Sequence, residues 1–391
     1  TAGIAGRVQP PDGNHLEESG GDGGMKFTEY VEVNPKTNLK KGEYAPFVEM
    51  ANVSITYREP EKVEYKKYTS GPKFQNGDSV VARIEPCLQN GKRFFWKSDK
   101  IGFGSTEYIV FRAKEGKMDS KYLFYLLKTD YIKKSMVSSM VGATGRQRVN
   151  NDIFGQIEIV VPNIDKQKKI GRTLFLYDDL IENNQKQIQL LEEAARRLYK
   201  EWFVDLRFPG HENTKIVDGV PEGWQYEKLG DLVKTTSGGT PSRRKSEYYV
   251  NGNIRWIKTK ELNDGFIFET EEHITEDAVK NSSAKVLPEG ALIVAMYGAT
   301  IGKIGITAAE MACNQACCAF ISFDDMISKE YLYCWLMDNR EYLVSQGKGA
   351  AQSNLSQEMI RNFSLLCPDK KVIKNFTEIV TTMLENKRVL E

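Results

Sequence analysis

Two polar stretches of this sequence carry an excess of positive charge and contain the residue types that contact phosphates and base edges. Residues 54–100 contain ten Lys or Arg against six Asp or Glu, and residues 237–260 contain six against one. The whole chain has a formal net charge of only +1, so each stretch is predicted to be a local basic patch. Local basic patches on a near-neutral protein are typical of contact with a phosphate backbone.

Individual residues in and near these patches could also recognise bases directly. Lys and Arg suit guanine edges, whereas Asn and Gln suit adenine edges. Glycine-rich loops at 237–240 and 298–302 would let backbone amides approach a phosphate. For any single cation a solvated surface position is the more common outcome, but for each patch as a whole we favour nucleic acid. The candidate contact residues are Lys66, Lys67, Lys92, Arg93, Arg146, Gln147, Arg148, Ser237, Thr240, Arg243, Arg244, Lys258, Lys260, Tyr297, Lys303, Lys348 and Gln352.

The sequence lacks the motifs of the enzymes that act on nucleic acids. An adenine methyltransferase would need an Asn-Pro-Pro-aromatic motif or its acidic variant, and neither N-P-P nor D-P-P occurs. No Walker A sequence is present, and the G-x-G at 102–104 is isolated. The three histidines, His15, His211 and His273, have no nucleophile beside them. We therefore predict a non-catalytic chain with no cofactor and no metal of its own.

The six cysteines lie in apolar runs without the spacing of a disulfide framework. Cys313, Cys317 and Cys318 have no His or further Cys nearby, so buried thiols are a better interpretation than a zinc site. Free thiols fit a reducing, cytoplasmic compartment. The sequence shows no signal peptide and no apolar run long enough to span a membrane.

A long helix over residues 167–203 is the element around which the candidate residues must be positioned. Its apolar residues recur at alternating steps of four and three, a seam typical of a helix that packs against another helix. At 1.5 Å per residue this helix would be roughly 55 Å long. The one polar member, Asn184, is expected to fix the register of the pair, and an exposed Asn on an ordinary surface helix is the alternative. The seam consists of Ile170, Leu174, Tyr177, Ile181, Asn184, Ile188, Leu191, Ala195, Leu198 and Trp202.

The sequence before and within this helix recurs in the second half of the chain. Residues 122–127 match 331–336, and the helical stretch at 369–391 repeats the seam, with Lys387 at the position of Asn184. A repeat of whole-domain length indicates a tandem duplication. We therefore predict an α+β protein with two similar globules separated by two long antiparallel helices, which form a coiled coil with pseudo-two-fold symmetry.

The predicted organisation has six segments, which the 391-residue chain is long enough to contain. They are a disordered leader at 1–24, a first domain at 25–162, a central helix at 163–207, a linker at 208–224, a second domain at 225–368 and a C-terminal helix at 369–391.

Several sequence motifs, taken in order, resemble the DNA-specificity subunit of type I restriction–modification systems. The resemblance covers residues 25–391. It rests on ARIEPCLQNGK at 82–92, GFGSTEYIVFRA at 102–113, EEAARRLYKEWFVDLRFP at 192–209, VPEGWQYEKLGDL at 220–232, SGGTPS at 237–242, NIRWIKTKEL at 253–262, MYGATIGKIGI at 296–306 and NQACCAFIS at 314–322.

The resemblance implies a function and a set of partners. Two target-recognition domains would each read half of a bipartite site in double-stranded DNA, and two methylation subunits would dock on the helices. Restriction subunits can join such complexes, and S-adenosylmethionine and ATP with Mg²⁺ are expected on the partner subunits. The C-terminal helix departs from the family pattern because it is short, which leaves either a chain that ends early after Glu391 or a short second conserved region.

An aromatic cluster at the end of the central helix is the candidate site for partner docking. Tyr199, Trp202, Phe203 and Phe208 are expected to anchor the methylation subunit, because aromatic side chains dominate interface energetics. Packing on their own globule is the alternative. The competing function for the whole chain is a coiled-coil scaffold with two protein-binding globules and no DNA contact, and a weaker one is an enzyme with an unrecognised site.

Overall fold

The chain folds into two compact units. The computed structural model describes residues 24–347 and 354–391. Among these, the first unit ends at Asn183 and the second begins at Asn184, so the division falls inside the long helix. The predicted leader lies outside the described residues except for Gly24.

The first unit contains two four-stranded sheets, with strand orders β2-β9-β6-β7 and β4-β3-β8-β5. Its strands are β1 (Met25–Lys26), β2 (Val31–Val33), β3 (Tyr44–Val48), β4 (Glu64–Lys67), β5 (Lys73–Phe74), β6 (Ser79–Ala82), β7 (Arg93–Phe95), β8 (Gly102–Gly104), β9 (Tyr108–Ala113) and β10 (Glu158–Ile159). Its helices are α1 (Phe27–Tyr30), α2 (Ser120–Leu126), α3 (Asp130–Ser138) and the first part of α4 (Ile164–Tyr199). The central strand β6 is buried at every position because both of its faces are covered.

The second unit contains a five-stranded sheet, β14-β22-β19-β20-β16, and a four-stranded sheet, β17-β15-β21-β18. Its strands are β11 (Ile216–Val217), β12 (Val220–Pro221), β13 (Gln225–Lys228), β14 (Val233–Ser237), β15 (Ile254–Ile257), β16 (Gly265–Ile267), β17 (His273–Ile274), β18 (Val286–Leu287), β19 (Leu292–Ala295), β20 (Ile304–Thr307), β21 (Met311–Cys313), β22 (Cys317–Phe323) and β23 (Ser364–Cys367). Its helices, after the end of α4, are α5 (Leu229–Leu232), α6 (Glu276–Lys280), α7 (Lys329–Asp338), α8 (Arg340–Gln346), α9 (Gln357–Arg361) and α10 (Lys370–Leu390).

The two units repeat one topology. When β2 is matched to β14 and the chain is followed forward, β4-β3-β8-β5 becomes β17-β15-β21-β18, and β2-β9-β6-β7 becomes β14-β22-β19-β20. The parallel pair β3–β8 is matched by the parallel pair β15–β21. The predicted duplication and the α+β class are therefore confirmed, and β16 is an added edge strand of the second unit.

The first part of α4 packs on its own unit through a face that the heptad pattern does not contain. Gln167, Gly171 and Phe175 are buried at steps of four residues. A Cβ at Gly171 would lie 2.7 Å from both the Asp119 carboxylate and the Tyr122 amide nitrogen, so only glycine allows the helix to approach the start of α2 this closely.

A buried arginine also fixes this part of α4. The Arg58 side chain is 1% exposed and lies over the Phe175 ring, 4.2 Å from its centroid. It donates hydrogen bonds to the Phe175 carbonyl oxygen at 3.2 Å and to the Asp179 carboxylate at 2.5 Å. The hydrogen bond from Arg58 to the Asp179 carboxylate lowers the pKa of Asp179.

The predicted seam is only partly buried at Ile170 and Leu174 and becomes exposed further along this first part of the helix. Tyr177 is 62% exposed and Ile181 49% exposed, and their neighbours Leu176 and Leu180 are exposed as well. The expectation of a seam buried along the whole helix is therefore wrong for this part, because the contacts with the first unit come from the adjacent helix face.

In the second unit the remainder of α4 pairs with α10 as expected. Lys387 contacts Glu192 at 2.6 Å, whereas Phe376 packs on Trp202 with ring centroids 5.9 Å apart. Residue numbers rise along one helix as they fall along the other, so the two are antiparallel. The seam residues Ala195 and Trp202 are buried here.

The segment predicted as a polar linker, residues 208–224, is part of the second unit's packed structure. It forms the hairpin β11–β12. Phe208 and Trp224 are buried, with ring centroids 4.7 Å apart. An apolar residue at each end of the segment therefore attaches it to the core.

Candidate nucleic-acid interface

The predicted basic patch of the second unit is an ion-pair cluster rather than a set of free cations. Lys258 contacts Glu272 at 2.6 Å and Glu271 at 2.9 Å, and Lys260 also pairs with Glu271. Arg243 contacts Glu272 at 2.6 Å. The two glutamates lie just before β17, beyond the end of the counted stretch. Over residues 237–272 the six basic residues are balanced by six acidic ones, so the expected local excess of charge is absent from the folded unit.

These contacts lower the pKa values of the two glutamates. Hydrogen bonds from Lys260 and Lys258 lower the pKa of Glu271 to about 2. The hydrogen bond from Arg243 lowers the pKa of Glu272. Both glutamates are therefore ionised at neutral pH, and a DNA phosphate would have to compete with two carboxylates for these cations.

Arg243 is held by stacking as well as by charge. Its guanidinium lies 4.3 Å from the Tyr249 ring centroid and 5.2 Å from that of Trp256. Trp256 in turn donates a hydrogen bond to the Gly239 carbonyl oxygen at 3.0 Å. The neighbouring Arg244 is exposed and keeps the exposure that the sequence predicted for a contact residue.

The glycine-rich loop 237–240 packs against a strand instead of presenting its backbone. A Cβ at Gly238 would collide with the Cys313 carbonyl oxygen, and the Gly239 amide donates to that same oxygen at 3.0 Å. The expectation that this backbone approaches a phosphate is therefore corrected at Gly239, because its amide is already bonded. Ser237 ends β14, and the Thr240 hydroxyl donates a hydrogen bond to the Gln315 side chain.

The second glycine-rich loop, 298–302, carries Tyr297 at its start and Lys303 after its end. Tyr297 is partly buried and forms an antiparallel bridge with Asn354. Lys303 contacts the Asp264 carboxylate at 2.9 Å, so it serves an internal ion pair. The predicted residues Lys348 and Gln352 lie outside the described residues.

The candidate lysines of β4, Lys66 and Lys67, lie beside aromatic rings of β3. Lys66 Nζ is 4.3 Å from the Phe47 ring centroid and 2.9 Å from the Glu64 carboxylate. Lys67 Nζ is 5.5 Å from the Tyr44 ring centroid. Both lysines and Tyr44 are exposed, so this surface keeps accessible cations next to an accessible ring.

Two other predicted residues of the first unit have structural roles. Lys92 donates to the Met50 carbonyl oxygen at 2.8 Å, and Arg93 donates to the Leu127 carbonyl oxygen at 3.0 Å. Burial lowers the pKa of Arg93. The expectation that Arg93 reaches DNA is corrected, because its guanidinium faces the interior of its own unit.

The three neighbouring candidates at 146–148 differ from one another in their contacts. Arg148 forms a forked contact with Glu107, the shortest distance being 2.7 Å. The Gln147 side chain lies 3.5 Å from the Gly142 carbonyl oxygen. Arg146 is exposed and remains a predicted contact residue.

The aromatic cluster that was expected to anchor a partner is buried in the core of the second unit. Phe203 packs against Tyr331, Phe376 and Trp224, with ring centroids 4.8, 4.9 and 5.9 Å apart. Tyr199, Trp202, Phe203 and Phe208 are each at most 7% exposed. The docking role predicted for these side chains is therefore corrected, because helix α10 and helix α7 already cover them.

The predicted register residues have different surroundings. Lys387 is 1% exposed. It donates to Glu192 and to the Asp264 carbonyl oxygen at 2.5 Å, and it lies 3.2 Å from the Tyr333 hydroxyl. Asn184, its repeat equivalent, is half-buried on α4. A role in register therefore remains a prediction for both, with a built set of contacts at Lys387.

Some polar residues at strand ends were missed by the sequence analysis. Glu49 follows β3 and Ser105 follows β8 in the first unit, and Asn314 and Gln315 follow β21 in the second. Uncharged side chains such as Ser105, Asn314 and Gln315 give no signal in a count of charge, and Glu49 lies outside the counted stretch. Their position directly after a buried strand is the signal that could have found them.

The described residues offer no metal site and no membrane span. In residues 24–347 and 354–391, no three His, Cys, Asp or Glu side chains are grouped so that they could hold a metal ion. All six cysteines are free, and burial raises the pKa of the Cys318 thiol to about 12. Over the same residues, no helix combines the length and apolarity needed to cross a membrane.

Comparison with known families identifies the duplicated fold. The family model of the type I restriction modification DNA specificity domain matches residues 31–193 and 221–388. The chain belongs to this family, as the sequence motifs predicted, and it contains two copies of the domain. The match is to a specificity domain, in agreement with the prediction of a non-catalytic chain.

The relatives carry the same description. The specificity subunit of the type I restriction enzyme MjaIX from Methanocaldococcus jannaschii is 27% identical over 272 residues, which are 68% of this chain and 62% of the relative. The specificity subunit of the type I restriction enzyme HindI from Haemophilus influenzae is 25% identical over 81% of this chain and 84% of the relative. A crystal structure of the type I restriction-modification S subunit from M. genitalium shares the fold, with a TM-score of 0.58 and 14% identity over 94% of this chain and 92% of that one.

Proposed function

We propose that this chain is the DNA-reading subunit of a type I restriction–modification complex, and that each unit reads one half of a bipartite site in double-stranded DNA. The observation that carries the proposal is the duplicated topology with diverged side chains. The two units share one strand order, yet Glu49 stands where Lys258 stands in the repeat, directly after the equivalent strand. Two related readers with different side chains suit a site with two different halves.

The chemistry divides between positioning and reading. Exposed cations such as Lys66, Lys67 and Arg244 would contact phosphates, which fixes orientation on the duplex and makes binding depend on salt. Side chains with both donors and acceptors would contact base edges, which supplies sequence information. The chain itself forms and breaks no covalent bond. S-adenosylmethionine, ATP and Mg²⁺ would belong to the partner subunits.

The exposed part of α4 is the proposed docking face for methylation subunits. Leu176, Tyr177, Leu180 and Ile181 form one exposed apolar stripe on the first part of the helix. A run of exposed apolar residues on a long helix is typical of a protein-binding surface. Two methylation subunits would dock on the long helices of this chain, and restriction subunits would join the resulting complex. Assembly would take place in the cytoplasm, where the chromosome lies.

Methylation mapping tests the proposal as a whole. The chain is co-expressed with its methylation subunit, and methylated adenines are mapped across the host genome. We expect one bipartite motif with a fixed gap. Filter binding of the purified complex to that motif should weaken steeply with added salt, because released counterions drive binding. A complex that forms but shows neither a motif nor a salt slope would favour the scaffold function instead.

The docking face is tested by a pair of matched double variants. Tyr177→Ala with Ile181→Ala should reduce co-purification of the methylation subunit, because it removes two exposed apolar anchors. Tyr44→Ala with Ile55→Ala removes the same side-chain types from exposed positions of the first unit that are not on α4 and should leave assembly unchanged. Equal co-purification of both variants would contradict docking on the stripe.

A further inference from the structure

The four-stranded sheet β4-β3-β8-β5 and its repeat each contain one parallel pair of strands. In the first unit Phe47 lies opposite Phe103, and in the second unit Ile257 lies opposite Cys313. The other pairs of these two sheets are antiparallel. Parallel strands end at the same edge of a sheet, and ligands bind preferentially beyond the carboxyl ends of such strands. The residues that follow the two strands of each pair are therefore brought together.

In the first unit this edge opens into a groove of about 440 Å³. Glu49 follows β3 and lines one part of the groove, and Ser105 and Thr106 follow β8 and line another. Lys66 and Lys67 border it from β4. Thr69 and Ser70 line it as well, so the groove combines an acceptor, four hydroxyl groups and two cations, all at the surface of one unit.

In the second unit the equivalent edge is tied together by hydrogen bonds. The backbone N–H of Asn314 donates to the Ile257 carbonyl oxygen at 2.9 Å, which places the residues after β21 beside the end of β15. Gln315 is exposed, and its side-chain oxygen accepts from the Thr240 hydroxyl. This bond orients the amide of Gln315 and leaves its NH₂ group as a donor. Lys258 lies directly after β15 and is paired with Glu271 and Glu272.

The side chains at the two edges have the donor and acceptor patterns of base readers. A Gln side chain can bond an adenine edge through both its oxygen and its nitrogen, a Glu accepts from the cytosine amino group, and Ser or Thr can bond either kind of group. Gln315 supplies the first pattern, Glu49 the second, and Ser105 and Thr106 the third. Equivalent positions with different patterns are what two readers of unlike half-sites require.

We propose that the carboxyl-end edge of the parallel strand pair is the base-reading surface of each unit, with Gln315 reading in the second unit and Ser105 and Thr106 in the first. The inference rests on the proposed function and specifies which surface performs it. The duplex enters each edge so that cations at its border contact phosphates. Lys66 and Lys67 hold that place in the first unit. In the second unit Arg243 and Lys258 lie there, and each would exchange its ion pair with Glu272 for a phosphate.

The test measures which half of the methylated motif each variant changes. Complexes of the full chain with the methylation subunit are prepared with Gln315→Ala, or with Ser105→Ala and Thr106→Ala together. Binding is measured to the wild-type motif and to duplexes with each base pair of one half-site changed. We expect Gln315→Ala to lower affinity for its own half-site roughly 5- to 150-fold, which corresponds to one lost bidentate contact. Recognition of the other half-site should be unchanged. The double variant should do the reverse.

Matched variants separate reading from folding. Gln225→Ala changes an exposed glutamine of the second unit that lies on β13, away from this edge, and Ser138→Ala changes an exposed serine at the end of α3. Both should read the motif as wild type does. Gln315→Glu keeps the size of the side chain but removes its donor, so it should lose affinity for adenine while the other half-site confirms a folded chain.

Each outcome decides between the proposals. If the wild-type complex has no bipartite motif, the proposed function itself fails. If wild type reads a motif and both edge variants read it with unchanged affinity at every position, the function stands and the base-reading edge is wrong. If Gln315→Ala and the Ser105 and Thr106 variant weaken the same half-site, the assignment of one edge to each half-site is wrong.

Discussion

The two units share one strand order but carry opposite charges at one equivalent strand end. In the first unit the residue after β3 is the acid Glu49, and β4 carries two exposed lysines. In the second unit the residue after β15 is Lys258, and the acids Glu271 and Glu272 precede β17. Duplication has kept the strand order, which depends on buried residues, while the residue after the first strand of the parallel pair differs in charge, Glu49 in one unit and Lys258 in the other.

The units also hold the long helix by different means. The first unit uses a buried cation, because Arg58 reaches the carbonyl oxygen of Phe175 and the carboxylate of Asp179. The second unit uses an aromatic core, in which Phe376 is fully buried against Trp202 and its neighbours. Apolar contacts stabilise the fold because they remove apolar surface area from water. A buried charge stabilises it only when its hydrogen bonds are made. One helix is therefore stabilised by both kinds of interaction.

The largest expected effect comes from truncating the aromatic core. Phe376→Ala should lower the free energy of unfolding of the second unit by about 3–5 kcal/mol, because it deletes a fully buried ring and leaves a cavity. Hydrogen exchange followed by mass spectrometry measures this, since it assigns lost protection to residues 184–391 separately from residues 24–183. Phe268→Ala, at an exposed position of the same unit, should change stability by less than about 0.5 kcal/mol. Equal loss of protection in the two variants would contradict the core assignment.

Removing the buried cation should have a smaller and separate effect. Arg58→Ala should lower the local stability of residues 164–183 by about 2–3 kcal/mol, because it deletes two hydrogen bonds and the packing on Phe175. The loss is smaller than for a fully buried ion pair because Asp179 can be solvated. Lys97→Ala makes the same charge change at an exposed side chain and should leave exchange at residues 164–183 unchanged. Faster exchange in the second unit alone would show that Arg58 does not hold the helix.

The duplication and several elements could be predicted from the sequence because they depend on local or repeated patterns. The long helix predicted from its apolar seam is present as α4 (Ile164–Tyr199), since the seam lies within one continuous window of sequence. The pairing of α10 with α4 could be predicted because the same apolar seam occurs in both helices. Each of these features is carried by residues that are neighbours along the chain.

The predicted contact residues failed where their surroundings come from distant parts of the chain. The charge count over 237–260 stops before Glu271 and Glu272, which the β15–β17 pairing brings beside Lys258. The aromatic residues at the end of α4 look like interface anchors in the sequence, but α10 covers them. This helix is distant in sequence, since Glu192 and Lys387, which are in contact, are 195 residues apart. No local pattern distinguishes a ring that faces a partner from one that faces a later helix.

Releasing the paired cations should make the second unit more like the first. Glu271→Gln with Glu272→Gln frees Arg243, Lys258 and Lys260, so affinity of the complex for random duplex should rise several-fold at low salt. The salt slope should steepen by up to about 2 in log–log terms, because more phosphate contacts release counterions. Glu247→Gln with Glu276→Gln makes the same charge change away from the cluster. If both variants shift the slope equally, net charge and not the cluster controls non-specific binding.

The smallest expected effect is a pH dependence confined to the second unit. Burial of Asp264 raises the pKa of its carboxyl, but hydrogen bonds from Lys303 and the Ile304 amide, with the charge of Arg340, outweigh burial and hold the pKa below its ordinary value. A carboxyl whose pKa is lower in the folded state than in the unfolded chain stabilises the fold at pH values above the unfolded pKa of about 3.9. This contribution is lost as the pH falls through the pKa of the folded state. Asp264→Asn keeps the left-handed backbone, at φ 67°, which Asn tolerates. It should cost on the order of 1–2 kcal/mol at pH 7, and this difference from wild type should shrink below about pH 4, as measured by urea unfolding at a series of pH values. A difference that stays constant down to pH 2 would show that the ionised carboxylate is not what stabilises the unit.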